Sequence, residues 1–96
     1  MTRKETLEAA AKCVCGDREQ DYGSPERNFF TIANLWTVYL AAEGKLSEMI
    51  TPKDVAAMLA LLKIARIASG HAKEDNWIDL AGYAACGCEI ETEGNT

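Results

Sequence analysis

The stretch that most limits what this chain can fold into runs from Thr51 to Gly70, TPKDVAAMLALLKIARIASG. Both of its ends carry helix punctuation. Thr51 is a suitable N-cap, Pro52 fits the first helical position, Asp54 completes a T-x-x-D capping pattern, and Gly70 can adopt the left-handed conformation of a C-cap. Between Val55 and Ala68 only Lys63 and Arg66 are polar. The segment is therefore apolar almost all round and reads as a central, buried helix. Two fixed cations on such a rod are expensive to bury alone. They must meet carboxylates, reach solvent along their aliphatic stems, or hold an anionic ligand.

The other segments read as helices that pack around this one. Residues Thr2 to Cys15 form an amphipathic helix with Leu7, Ala10, Ala11 and Val14 on one face, and Gly16 ends it. A polar loop, 16–24, contains Arg18, Asp21, Tyr22 and Gly23, and Ser24-Pro25 opens a second helix that runs to Glu43. Its buried stripe is Phe29, Ile32, Ala33, Trp36, Tyr39 and Leu40, and Gly44 is the stop signal. A last helix spans Glu74 to Ile90. At about 100° per residue it places Asp75, Asp79, Gly82 and Cys86 on one acidic stripe and Trp77, Leu80, Ala81, Ala84 and Cys88 on the opposite, core-facing side. The tail, 91–96, is polar and expected to fray. No strand-like alternation and no Gly-rich phosphate loop occurs, so the expected class is all-α, a compact bundle of four main helices in a single domain covering 1–96.

Charge and cysteine usage exclude several function classes. A net charge of −5 argues against a general nucleic-acid binder, which needs a basic surface to neutralise phosphates. The longest unbroken apolar run, Val55 to Leu62, is far too short to cross a bilayer, and the N-terminus has no leader pattern. The expectation is a cytoplasmic protein with no membrane partner. The four cysteines form two C-x-C pairs, Cys13/Cys15 and Cys86/Cys88. Residues two apart on a helix point about 200° away from each other, so neither pair converges on one ion, and zinc sites favour C-x-x-C. No zinc is expected, and the thiols read as small core residues.

Lys63 and Arg66 share a helix face, where Arg offers a fork and Lys a point charge to phosphate. The same two cations could equally answer Asp75 and Asp79 in an ion-pair network. Those two aspartates, one turn apart, could instead hold Mg²⁺, which favours one or two carboxylates plus phosphate oxygens. Asp75, near a helix start, is also favoured by the helix dipole alone. Arg18 and Tyr22 sit in a loop, where polar side chains often serve binding, and Asn28 can donate to a ligand or face water. His71, the single histidine, follows a C-cap and is a poor candidate for a base, which argues against nucleophilic catalysis.

The series Arg18-x-x-Asp21-Tyr22-Gly23, Asn28-Phe29, Lys63-Ile64-Ala65-Arg66-Ile67 and Asp75-x-x-x-Asp79-x-x-Gly82-Tyr83 resembles an uncharacterised family of small phage and prophage proteins. It covers nearly the whole chain. The order of the blocks is also similar to phage nucleotide-modification-associated helical domains and, more remotely, to MazG-like all-α NTP pyrophosphohydrolases. The resemblance implies a MazG-like outline and nucleotide handling in the cytoplasm of an infected bacterium. It implies Arg18, Tyr22, Asn28, Lys63, Arg66 and Tyr83 as nucleotide-binding residues, with Asp75 and Asp79 as one half of a Mg²⁺ site and Glu74 as a helper. The facing E-x-x-E half is absent: the central helix offers only Asp54 and the second helix only Glu26.

Three readings follow. One is a Mg²⁺-dependent nucleotide pyrophosphohydrolase with a Lys/Arg phosphate clamp and Tyr22 or Trp36 stacked on the base. The second is a non-catalytic protein that sequesters a nucleotide in the same pocket, for instance against host defence. The third is a structural helical oligomer. In each, the apolar surface carried by the second and central helices exceeds what one small core hides, so a homo-oligomer is expected.

Overall fold

A computed structural model describes residues 1–17, 25–69 and 73–93. They form four α-helices: α1 (Arg3–Lys12), α2 (Pro25–Ala42), α3 (Pro52–Ala68) and α4 (Glu74–Thr92), with a π-helical turn, Cys13–Asp17, following α1. No strand occurs among the described residues. The expected all-α bundle is what forms.

Local chemistry explains most of the helix ends. At α3 the Thr51 hydroxyl accepts from the Asp54 N–H at 3.3 Å, and the Asp54 carboxylate accepts from the Thr51 N–H at 3.0 Å, with Pro52 in the first turn. The same reciprocal box opens α1 between Thr2 and Glu5. There the Thr2 N–H, and after it the Thr2 hydroxyl, hold the Glu5 carboxyl below its ordinary pKa. Helix α2 stops at Gly44, whose φ of 69° lets the Gly44 and Lys45 N–H groups turn back to the carbonyls of Ala41 and Leu40. Gly16 does not end the first helix as expected: it lies inside the π-helical turn. Gly70 lies outside the described residues, and the cap of α3 is Ser69, whose N–H reaches the Ala65 carbonyl at 3.0 Å.

Helices α3 and α4 make the most extensive pairing, α1 packs on α4, and α2 packs on α3. The core joins three helices through Phe29 and Ala33 of α2, Val55 and Ala56 of α3, and Cys86 and Ile90 of α4. Val14, Ile32, Trp36, Leu59 and Tyr83 close around it. The link between α2 and α3 is tied down by Thr37, whose hydroxyl donates to the Ala33 carbonyl at 2.7 Å and accepts from the Ile50 N–H at 2.9 Å.

Three expectations about helix faces are corrected. On α4 the buried stripe is Ile78, Gly82, Cys86 and Ile90, so the side that carries Asp79 is the inner one. Trp77, Ala84 and Cys88, expected in the core, face outward. Small residues decide this. A Cβ on Gly82 would lie 3.0 Å from Val14, and one on Gly87 would lie 3.3 Å from Ala56 Cβ, so this stripe admits neighbouring helices at a distance that a bulky face cannot. Secondly, α3 is not buried all round: Val55, Ala56 and Lys63 turn inward, while Leu61 is 65% exposed. Thirdly, Leu7 and Ala11 of α1 and Tyr39 of α2 are exposed, and of the four thiols only Cys86 is buried, with Cys15 and Cys88 at the surface. Helix α4 also runs two residues past Ile90, through Thr92.

Replacing Gly82 with Val forces two extra methyl groups against Val14. Urea unfolding is expected to register a loss of about 1–3 kcal/mol, the usual result of overpacking a filled position.

Candidate functional site

Helices α3 and α4 run antiparallel, with Ala56 level with Gly87 at one end and Lys63 level with Asp79 further along. This register brings an α3 cation to an α4 carboxylate. Lys63 Nζ lies 2.9 Å from Asp79 Oδ2, with the lysine side chain 10% and the aspartate side chain 28% exposed. Such a pair is short enough for a charge-assisted hydrogen bond. Lys63 is thus the buried cation whose partner was in question, and Asp79 is that partner.

Asp79 and Tyr83, one turn apart, line a small depression with Cys13 and Val14 of the π-helical turn and Ile78 and Gly82 of α4. The Tyr83 ring leans on Phe29, centroids 6.4 Å apart with a 49° tilt, which brings the start of α2 and the half-buried Asn28 to the same end of the bundle. Gly82 is the residue that makes the arrangement possible, because it lets the π-helical turn sit directly against α4. Cys13, half-buried in this wall, reads in the sequence as a small core residue. Its place here follows from the π-helical turn, which no residue pattern announced.

Arg66 stands apart. It lies one turn beyond Lys63, is exposed, and makes no ion pair with a described carboxylate. Asp75 is likewise exposed in the first turn of α4, where the helix dipole favours it. The sequence-derived set therefore divides. Lys63 meets Asp79, Asp79 and Tyr83 share one depression, Asn28 is joined to this group only through its neighbour Phe29, Arg66 and Asp75 are exposed, and Arg18, Tyr22 and His71 lie outside the described residues. Trp36, a candidate for base stacking, instead packs against the core.

As a home for Mg²⁺ the donor set is thin. Among the described residues no group of three or more His, Cys, Asp or Glu side chains comes together. Asp79 already faces an ammonium, which competes with any cation for the same oxygen. Asp75 is exposed, and Asp79 already holds Lys63. No described helix is long and apolar enough to cross a membrane.

The profile of a family described as a domain of unknown function (DUF6378) matches residues 5–91 of the chain. The Gene 55 protein of Mycobacterium phage L5 is 42% identical over 78 residues, covering 81% of this chain and 47% of that protein. The Gene 55 protein of Mycobacterium phage D29 is 40% identical over 80 residues, covering 83% of this chain and 49% of that protein. The chain spans about half the length of these curated relatives. No solved structure matches it.

The two cations should respond to mutation in opposite ways. Lys63→Met keeps the packing of the stem but strands Asp79 beside it. It is expected to lower unfolding free energy by about 3 kcal/mol, the low end for breaking a buried pair because Asp79 keeps some contact with water. Arg66→Ala is expected to stay within about 0.5 kcal/mol of the parent protein in the same urea titration.

Proposed function

The chain belongs to the DUF6378 family, together with phage proteins, and we propose that it is a nucleotide-handling protein that binds the phosphate groups of a nucleotide without cleaving them. The observation that carries this reading is the unequal treatment of two neighbouring cations. Asp79 answers Lys63, which accounts for one positive charge on α3, whereas Arg66 is left exposed and without a described carboxylate. An exposed guanidinium presents a planar fork of donors suited to phosphate oxygens. Tyr83, which lines the depression beside Asp79, supplies a polar edge, and Asn28 belongs with it to the binding set. Arg18 and Tyr22 belong to the binding set that the motif series suggests.

Hydrolysis is the less supported form of the same reading. It needs Asp75 and Asp79 to gather a cation on the substrate phosphates, and Asp79 would have to exchange its partner Lys63 for that cation. A binding protein needs no such exchange. The cytoplasm of an infected cell, where nucleotides are abundant, suits either form.

Thermal melts against a panel of nucleotides, run beside a phosphate-release assay with Mg²⁺, test this. A bound nucleotide at a hundredfold excess over its Kd is expected to add about 2.7 kcal/mol of stability to the parent protein. Arg66→Ala should abolish that gain while melting like the parent when no nucleotide is present. No phosphate or pyrophosphate should be released. If no nucleotide raises the melting temperature, the reading fails, and if phosphate is released in a manner that Asp75→Asn abolishes, the protein is a hydrolase.

A further inference from the structure

The outward face of α3 is a continuous apolar feature that the ion pair and the core leave unexplained. Ala57, Leu61, Ile64 and Ala68 are all exposed and fall within about 60° of one another around the helix. Met58 and Leu62, also exposed, widen the stripe on one side. From Ala57 to Ala68 this face holds no polar side chain, because Lys63 and Arg66 project elsewhere. Isolated exposed apolar residues need no explanation, but a continuous stripe of this kind does.

We propose that this face is the contact between two copies of the chain, related by a two-fold axis that passes between Leu62 and Lys63. The order of sizes supports a second copy rather than an unrelated partner. Read in either direction, the stripe is small, large, large, small, at spacings of four, three and four residues. An antiparallel pair of α3 helices therefore sets Leu61 of one copy against Ile64 of the other, twice, with Ala57 against Ala68 at each end. That self-complementarity is what an isologous interface requires, and the terminal alanines let the helices approach closely. The chain carries a net −5, which opposes self-association; from Ala57 to Ala68 the stripe itself holds no acidic residue, and Asp54, one turn before it on the same side of α3, marks its N-terminal limit.

The stripe extends over about 16 Å of helix and offers roughly half of the ~800 Å² per partner of a standard interface. It continues at its N-terminal end into a groove between α3 and the preceding link, lined by Met49, Ile50, Ala57 and Met58 and also by the acidic Glu48 and Asp54, with Met49 67% exposed. Together these make a contact of the size of a reversible dimer. The outward side of α2 also exposes Phe30, Leu35, Val38 and Tyr39, but they spread over about half of the helix circumference, and Thr31 and Asn34 interrupt them.

Light scattering at high micromolar concentration tests the proposal. The parent protein is expected at twice its 10.5 kDa chain mass. Leu61→Glu and Ile64→Lys, both at exposed positions, should each be monomers with unchanged helix content by circular dichroism. Val38→Glu should remain a dimer. An equimolar mixture of Leu61→Glu and Ile64→Lys chains should return to the doubled mass, since each Leu61 site faces the partner's Ile64 site. A monomeric parent protein, a parent dimer that survives Leu61→Glu, or a mixture that stays monomeric would each overturn it.

Discussion

Helix α4 lies against its neighbours only because it presents almost no side-chain volume to them at two points. At Gly82 the neighbour is a Val14 methyl, and at Gly87 it is the Cβ of Ala56, both at distances where an added Cβ would crowd its neighbour. Close backbone approach multiplies dispersion contacts along the seam, and these accumulate although each is small. Ala33, Val55, Ala56, Cys86 and Ile90 then need no great bulk to fill what remains. A chain of this size has little apolar area to spare, so tight spacing takes the place of a large core.

The same seam carries Lys63, the buried cation among the described residues. Since Gly87 fixes one end of the α3–α4 pair, the antiparallel register places Asp79 where Lys63 arrives, and the resulting 2.9 Å contact reads as a device that specifies register. A slip of one residue in either helix would rotate a charge by about 100° and leave it unpaired in a poorly solvated place, which is strongly unfavourable. Attraction within the pair adds less than this penalty, because desolvation of both groups offsets much of the Coulomb gain. Arg66 is under no such constraint. Its side chain is exposed and makes no ion pair with a described carboxylate, so its charge does not enter the packing.

The bundle thereby separates its tasks by face. One side of α3 binds α4 and positions the Lys63–Asp79 pair, with the depression beside Tyr83 at its edge. The opposite side is apolar and solvent-facing, with Arg66 beyond its Leu62 edge.

Helix ends, helix order and helical class were legible in the residues themselves, because capping boxes, Pro at a first turn and Gly at a left-handed stop act within a few positions of chain. Thr51, Pro52, Asp54 and Gly44 needed no knowledge of any distant residue. The pairing of a cation with a carboxylate could be anticipated too, since a buried Lys must find a partner. Which face of α4 turns inward could not. Hydropathy favours Trp77 and Cys88 over Gly82 and Asp79, and only the fit of Val14 and Ala56 onto the two glycines, together with the arrival of Lys63, reverses that preference. For the same reason α3 looked buried on every side: the sequence by itself determined how much apolar surface it carries, whereas the number of helices able to pack around it, and so the stripe left facing water, was decided by tertiary geometry alone.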